Sequence, residues 1–336
     1  VLRELIKSEL SEVAAKFGDK RRTQINYAAG EFNAEDFYAD DDMIITISHM
    51  GYIKRTPLAE FRAQNRGGVG ARGSVTRDKD FIEHIYTASM HNTMLFFTDR
   101  GLVYKMPVYE LPEGTRQTKG RALQNLLNIE PGDSVNAFIR CKGLDDPEYT
   151  STHYLVFATR NGLIKKTVLS EYARVMSKGK KAILIREGDS LVGVELTDGN
   201  SQILVANRHG RAVRFDENEL RAMGRVSSGV RGMKIDEDSE DAVVGLVVMP
   251  ENSDTTVLVL SQKGFGKRSQ LDGYRLTRRG ARGVKTMNIT EKTGELIAFK
   301  SVNDDNDLMI INKSGVVIRV HVSDIRVMGR ATQGVR

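Results

Sequence analysis

The chain contains no tryptophan and a single cysteine among its 336 residues. One cysteine, Cys141, excludes an internal disulfide and a zinc site built on cysteine ligands. Aromatic residues make up 7% of the sequence, which argues against a platform for stacking single-stranded bases. No apolar run reaches the 18 or more residues of a membrane span, and no secretory signal is present. These absences predict a cytoplasmic protein that does not contact membranes.

Basic residues are in mild excess, with 50 lysines and arginines against 44 acidic residues and a net charge of +6. This excess is too small to establish nucleic-acid binding by itself. The positions of the charges have to carry that argument.

The first 17 residues place Leu2, Leu5, Ile6 and Leu10 on one face at helical spacing, and Gly18 is suited to end that helix. The chain starts within this helix, so we expect it to be part of a longer protein. From about residue 40 the apolar period becomes that of strands. We therefore predict a helix and linker over residues 1–28 and an all-β domain over 29–336.

A short apolar run ends in a turn glycine six times, about every 50 residues, and a basic residue follows four positions later. The glycines are Gly51, Gly101, Gly162, Gly210, Gly264 and Gly315, and the basic residues are Arg55, Lys105, Lys166, Arg214, Arg268 and Arg319. A second cluster of glycine and basic residues follows in every unit, beginning at Gly70, Gly120, Gly179, Gly229, Gly280 and Gly334. Repeats of this length indicate a solenoid, propeller or array.

Period-2 strands flank each turn glycine, as in the run 43–48 before Gly51 and the run 52–56 after it. Strands of this kind in regular repeats predict four-stranded units arranged radially, that is, six blades. The last repeat stops at its second cluster. We expect either a truncated array or one closed by a strand from near residues 30–40.

Known catalytic and cofactor patterns fit poorly. Residues 68–73 match the dinucleotide pattern G-x-G-x-x-G, but neither a buried strand nor a helix is predicted around them. The six histidines form no metal-binding motif, and the acidic clusters lack the spacing of a calcium loop. We therefore expect no catalytic residue, metal or cofactor in this chain.

One cation recurring in six units is typical of a track for the phosphates of a duplex, with glycines that allow close backbone approach. No recognition helix follows residue 18, so base readout in the major groove is not expected. Two other classes stay open: a propeller that docks an acidic protein, and an enzyme, although no constellation of residues supports the enzyme. The basic residues predicted to bind DNA are Lys54, Arg55, Lys105, Lys119, Arg121, Lys165, Lys166, Lys180, Lys181, Arg214, Arg231, Lys267, Arg268, Arg278, Arg279, Arg282 and Arg319.

The segment Gln64-Asn65-Arg66-Gly67-Gly68-Val69-Gly70 resembles the seven-residue box of the DNA gyrase A family, Gln-Arg-Arg-Gly-Gly-Lys/Arg-Gly. Residues 215–225 and 229–233 resemble the C-terminal domain of that family, and residues 16–25 resemble the junction that precedes it. The resemblance covers essentially the whole chain. It adds the seven box residues and Arg72 to the predicted DNA-binding set.

The resemblance implies a six-bladed β-pinwheel whose rim binds and bends duplex DNA so that gyrase can introduce negative supercoils. It implies a bacterial, nucleoid-associated protein that forms an A2B2 complex together with the rest of gyrase A and with gyrase B. The catalytic tyrosine region, the ATP site and its magnesium then lie outside this chain. The isolated domain is expected to be a monomer.

Asn65 and Val69 replace two basic residues of the family box. An eroded box is typical of the homologous protein of topoisomerase IV, which selects DNA segments with little wrapping. That homologue is the alternative, while the six repeats and the five matching box positions favour gyrase.

Overall fold

The computed structural model describes residues 2–20, 22–23, 34–61, 71–72, 80, 82–236, 240–250, 254–311 and 316–336. It contains two compact units, Val1–Phe37 and Tyr38–Arg336. In the first unit, helix α1 (Leu2–Phe17) confirms the predicted helix. The predicted boundary at residues 28 and 29 lies outside the described residues and stays a prediction. No helix in the described part of the chain is long and apolar enough to cross a bilayer.

The second unit is built from antiparallel sheets, and each repeat begins with the predicted hairpin. The first hairpin strands are β1 (Asp42–Ser48), β5 (Thr93–Thr98), β9 (Tyr154–Thr159), β13 (Ser201–Asn207), β17 (Thr256–Ser261) and β21 (Asp307–Ile311). The return strands are β2 (Tyr52–Pro57), β6 (Leu102–Pro107), β10 (Leu163–Val168), β14 (Arg211–Asp216), β18 (Gly266–Gln270) and β22 (Val316–His321).

Two further kinds of strand complete the sheets. Long strands pair with the first hairpin strands: β4 (Ile82–Ser89), β8 (Val135–Cys141), β12 (Leu191–Thr197), β16 (Val243–Pro250) and β20 (Leu296–Val302). Two-residue strands, called the swapped strands below, are β3 (Ala71–Arg72), β7 (Arg121–Ala122), β11 (Lys180–Lys181), β15 (Val230–Arg231) and β19 (Val284–Lys285).

The remaining elements are short helices in the connections. They are α2 (Leu123–Leu126), α3 (Pro147–Thr152) and the 3-10 helices Ala34–Phe37, Leu58–Glu60, Val108–Glu110, Leu169–Tyr172, Glu217–Glu219, Leu271–Gly273 and Val322–Asp324. Apart from the one at Ala34–Phe37, each 3-10 helix directly follows a return strand.

Each swapped strand joins the sheet of the preceding repeat. For example, β7 belongs to the second repeat but pairs with β2, so the first sheet has the order β4-β1-β2-β7. Among the described residues, four sheets have four strands and two have three. In the three-stranded sheet of β17, an isolated bridge from Gly266 to Val335 takes the place of the swapped strand. The second sequence cluster is therefore the exchange point between repeats.

The array is closed by β3 of the first repeat, which pairs with β22 of the last. The register joins Val316 to Arg72 and Val317 to Ala71. The expectation of a closing strand from near residues 30–40 was therefore wrong. Closure follows the same rule as every other exchange, because the first repeat lends its swapped strand to the sixth sheet just as each repeat lends one to its predecessor.

The hydrophobic cores lie between successive sheets because the central strands are apolar on both faces. In β5, Phe96 contacts the cluster shared with the first repeat and Phe97 contacts the cluster shared with the third. Phe97 meets Phe157 edge to face with ring centroids 5.5 Å apart. Full burial of each such side chain contributes about 1.5–3 kcal/mol.

The long strands converge on one another, since β8 contacts β12, β12 contacts β16 and β16 contacts β20. Each long strand and each swapped strand stand at opposite edges of their sheet. The long strands thus form the centre of the array and the swapped strands form its outer edge. This is the radial arrangement of a propeller.

Candidate nucleic-acid interface

The basic residue four positions after each turn glycine lies inside the fold in most repeats. Arg55 Nε donates to the carbonyl of Leu111 at 2.8 Å, and Arg214 Nη1 donates to the carbonyl of Tyr274 at 2.8 Å. Arg268 and Arg319 bind the equivalent carbonyls, those of Ile325 and Phe61. In each pair the carbonyl belongs to the residue that ends the 3-10 helix of the next repeat, so these arginines tie neighbouring repeats together.

The two lysines at this position differ from each other. Lys166 is buried, and its Nζ lies 3.3 Å from the Glu217 carboxylate and 3.3 Å from that residue's carbonyl. Lys105 is partly exposed, with its Nζ 3.7 Å from Asp145. Lys105 and Asp145 line a surface cavity of about 410 Å³ between the second and third repeats.

Three more lysines from the predicted set are buried one residue earlier, in alternate repeats. Lys165 and Lys267 are 0% exposed, and Lys54 is 1% exposed. Lys54 Nζ donates to the carbonyls of Thr115, Arg116 and Thr118 at 2.8–2.9 Å. Lys165 and Lys267 bind the carbonyls of Arg225 and Arg330, which stand at the same place in their loops as Arg116. All three ammonium groups therefore hold the loop before the next swapped strand.

Burial disfavours the charged form of these lysines. It lowers the pKa of Lys165 to about 7, with a smaller contribution from Arg225, and it lowers the pKa of Lys54 and of Lys267 to about 8. Carbonyl acceptors compensate for the lost water without supplying an opposite charge.

The recurrence of these cations therefore has a structural cause. The sequence argument held that a structural role would favour varied polar residues, so that repeated cations indicate phosphate contacts. That argument does not hold here, because the ends of the 3-10 helices and loops offer several carbonyls at once. Only the multiple donors of arginine and lysine can satisfy such a group.

Glycine is required where each swapped strand begins. Gly229 has φ +90°, and a Cβ there would collide with the carbonyl oxygen of Ile164 in β10. Gly120 and Gly283 have the same left-handed backbone against the neighbouring strand, with φ +82° and +79°. Positive φ brings the chain onto the sheet of the preceding repeat, and only glycine adopts it without strain.

The second residue of the swapped strand presents a cation at one register position around the outer edge. Lys181 pairs with Leu102, Arg231 with Leu163 and Lys285 with Arg211, and all three side chains are exposed. Arg336, also exposed, follows the bridge residue Val335 and holds the equivalent position. We call Lys181, Arg231, Lys285 and Arg336 the edge cations. Arg72 occupies the same position opposite Val316, whereas the second repeat has Ala122 there and the exposed Arg121 before it.

Lys285 and Arg336 were missing from the predicted set. The sequence reasoning placed the fifth exchange cluster at Gly280, whereas the structure places it at Gly283-Val284-Lys285. Gly283 follows Gly264 by 19 residues, as Gly229 follows Gly210 and Gly334 follows Gly315. Constant spacing was the signal that could have found Lys285.

The other predicted cations lie near this edge. Lys119 Nζ stands 4.7 Å from the centre of the Tyr52 ring, and Lys180 Nζ donates to the carbonyl of Glu171 at 2.8 Å. Arg278 and Arg279 are exposed, and Arg282 pairs with Asp236 at 3.3 Å. The box, Gln64–Gly70, lies outside the described residues, so its predicted DNA contacts stay predictions.

The family model for "DNA gyrase C-terminal domain, beta-propeller" matches this chain in six segments, one for each repeat. They are residues 42–89, 92–142, 153–198, 201–248, 255–303 and 306–336. Two curated relatives, the gyrase A proteins of Staphylococcus epidermidis and of Staphylococcus aureus strain MRSA252, are each 42% identical over 100% of the chain. The chain spans 37% of the length of these relatives.

Solved structures share the fold. A DNA gyrase A C-terminal domain superposes with a TM-score of 0.76 at 22% identity, covering 88% of this chain and 94% of its own. The C-terminal domain of a DNA topoisomerase IV superposes with a TM-score of 0.66 at 27% identity, covering 88% of each chain. The first likeness concerns the fold alone.

Proposed function

Because the chain belongs to the C-terminal β-propeller family of DNA gyrase A, we propose that its outer edge binds and bends double-stranded DNA. One observation carries the proposal: the edge cations occupy a single register position on successive sheets and are all exposed. A row of cations on a convex edge suits the phosphates of a duplex that curves around it.

The proposed array has six blades, with the segment around residues 62–70 completing its DNA-binding edge. The chain itself carries out no catalytic step. It acts in the cytoplasm as the DNA-wrapping part of a bacterial gyrase, in an A2B2 complex with the rest of gyrase A and with gyrase B. ATP and magnesium act elsewhere in that assembly, and the isolated domain is a monomer.

Electrostatic binding is strong enough to bend the DNA. Turning about 40 base pairs through a half-circle costs on the order of 10 kcal/mol by elastic estimate. About five phosphate contacts from the swapped strands give log K a slope of about −4.5 against log salt, and the exposed loop arginines steepen it. Histones bend DNA by the same combination of backbone contacts and DNA deformability.

The experiment closes nicked circular DNA on the bound chain and reads the trapped linking difference. We expect a positive difference with the unsubstituted chain and its loss in the triple variant Lys181→Gln, Arg231→Gln, Lys285→Gln. The salt slope of the triple variant should be shallower by about 2.7, or 0.9 per lost contact. Lys142→Gln is the control, since Lys142 is exposed just beyond the end of β8, at the opposite edge of its sheet.

A second candidate is the segment-selecting function of topoisomerase IV, favoured by the 27% identity to that C-terminal domain and by Asn65 and Val69 in the box. Strong DNA binding with little trapped linking difference would support it. A triple variant that binds and wraps like the unsubstituted chain would refute the assignment of the edge cations.

A further inference from the structure

Three arginines reach from one exchange loop to the swapped strand of the preceding repeat. Arg225, Arg279 and Arg330 each stand five residues after the residue that follows the 3-10 helix of their repeat. Each donates through Nη1 to the main-chain carbonyl of an edge cation. Arg225 binds Lys181, Arg279 binds Arg231 at 3.2 Å, and Arg330 binds Lys285.

Two of these arginines are anchored from below by buried lysines. Lys165 Nζ donates to the carbonyl of Arg225 and also, at 2.7 Å, to that of Ala182, the residue after Lys181. Lys267 Nζ donates to the carbonyl of Arg330. The buried lysine thus fixes the main chain of the arginine, whose guanidinium then fixes the main chain of the edge cation.

Main-chain hydrogen bonds repeat at the same place in all three seams. They join Leu184 N to Ser227 O at 3.2 Å, Lys234 N to Ala281 O at 3.0 Å, and Asn288 N to Thr332 O at 3.2 Å. In every case the donor lies three residues after the edge cation and the acceptor lies two residues after the arginine. The outer edge is therefore continuous from one sheet to the next.

We propose that Arg225, Arg279 and Arg330 are positioning residues that hold Lys181, Arg231 and Lys285 in register with one another for binding to the DNA backbone. The inference rests on the proposed function of the outer edge. Swapped strands of two residues make few ladder hydrogen bonds, so an additional donor per strand matters for their order. Cations held in place lose less conformational freedom on binding than cations on a frayed strand.

Arg225 is suited to positioning more than to direct contact with DNA. Its side chain is 23% exposed, and its Nε lies 3.8 Å from the Glu171 carboxylate. The guanidinium is thus already occupied by a carbonyl and a carboxylate of the third repeat. Arg221, in the same loop, is exposed and provides a control with the same charge change.

The first measurement needs no DNA. In the unbound chain, Arg225→Gln should speed amide hydrogen exchange at least threefold over residues 180–184, leaving exchange in the hairpin 203–215 unchanged. Arg221→Gln should change neither region. A folding defect would instead speed exchange throughout the sheets, and that pattern would overturn the inference.

The second measurement is a double-mutant cycle on DNA affinity. Lys181→Gln and Arg225→Gln should each raise the dissociation constant about fivefold to tenfold at 0.1 M salt, the effect of one phosphate contact. The double variant should be no more than about twofold weaker than either single variant, because Arg225 acts through Lys181. Arg221→Gln combined with Lys181→Gln should give effects that multiply.

Multiplying effects of Arg225→Gln and Lys181→Gln would overturn this inference alone, since they would make Arg225 an independent contact. Unchanged exchange over residues 180–184 would overturn it too. If Lys181→Gln binds DNA as tightly as the unsubstituted chain, the proposed function of the edge fails, and the inference fails with it.

Discussion

Basic side chains in this fold either bind main-chain carbonyls in its interior or stand exposed at its edge. Lys165 and Lys181 show the contrast within one repeat, since the first is 0% exposed and the second is exposed. A buried lysine costs free energy in its charged form, because carbonyl dipoles replace water without supplying a negative charge. Their burial therefore makes stability depend on pH.

At the residue scale, we predict that Lys165 makes the chain more stable as pH rises from about 7 towards 10.5. The pKa of Lys165 is about 7 in the fold, against 10.5 ordinarily. Between these values the unfolded chain binds more protons, so the free energy of unfolding increases with pH, by at most about 1.4 kcal/mol per pH unit. Arg225 and Glu171 are the charged groups nearest to Lys165.

Denaturant unfolding of the unsubstituted chain and of Lys165→Met between pH 7 and 10 checks this prediction. The difference in free energy between the two should grow with pH. Lys178→Met, at an exposed lysine of the same repeat, should leave a constant difference. A constant difference for Lys165→Met as well would show that burial does not affect its protonation.

The swapped strand is the element on which the architecture depends. It has only two residues, yet it joins each repeat to the one before and carries the edge cations. A strand this short is held in place by the glycine before it and by donors from the next repeat. The array should therefore be sensitive to single changes at the exchange points.

At the element scale, we predict that Gly229→Ala lowers the free energy of unfolding by at least about 2 kcal/mol. Gly229 has φ +90°, and the added Cβ would meet the carbonyl of Ile164. A left-handed backbone costs an L-residue about 1–2 kcal/mol before any collision is counted. Gly224→Ala is the matched control, because a Cβ at Gly224 meets nothing within 4 Å. Thermal unfolding of both variants checks the prediction, and equal stability of the two would contradict it.

Across the whole molecule, the long strands bring titratable groups from alternate repeats to the centre. Glu195 lies in β12, Lys300 in β20, and His84 and Tyr86 in β4. Burial raises the pKa of Glu195 to about 7, with Lys300 opposing the shift. Burial also raises the pKa of Tyr86, with a further contribution from Glu195, and it lowers the pKa of His84. This environment exists only when the repeats converge.

We accordingly predict that Glu195 makes the assembled array less stable as pH rises from about 4.5 to about 7. Its pKa is raised in the fold, so the folded state holds the proton after the unfolded state has lost it, and stability falls with pH in this range. Glu195→Gln should remove that part of the dependence, as measured by denaturant unfolding at pH 4.5–7.5. Glu187→Gln, at an exposed glutamate, should retain it. If both variants retain it, Glu195 is not buried as described.

Much of the fold could be predicted because the repeat is visible in the chain. Turn glycines separated by apolar runs of strand period located the hairpins, and β1 and β2 lie where the runs at 43–48 and 52–56 placed them. The exchange of strands between repeats could not be predicted in the same way. A two-residue strand such as β15 has no periodicity of its own, and its pairing partner lies in the preceding repeat.

The candidate site was only partly predictable for a related reason. A recurring arginine looks alike in the sequence whether it binds a carbonyl or a phosphate. Arg214 and Arg231 are both basic and both repeat, yet Arg214 donates to the carbonyls of Leu271 and Tyr274 while Arg231 is exposed. Which atoms surround a side chain depends on the neighbouring repeat.

The sequence by itself determined the all-β class, the six-fold repeat, the hairpin positions and the resemblance to gyrase A, because local periodicity and turn chemistry suffice for them. Only the tertiary structure decided which cations lie at the edge and which lie inside. It also decided that β3 closes the array and that Glu195 and Lys300 meet at its centre. These properties come from contacts between repeats about 50 residues apart or more, and burial is set by such contacts.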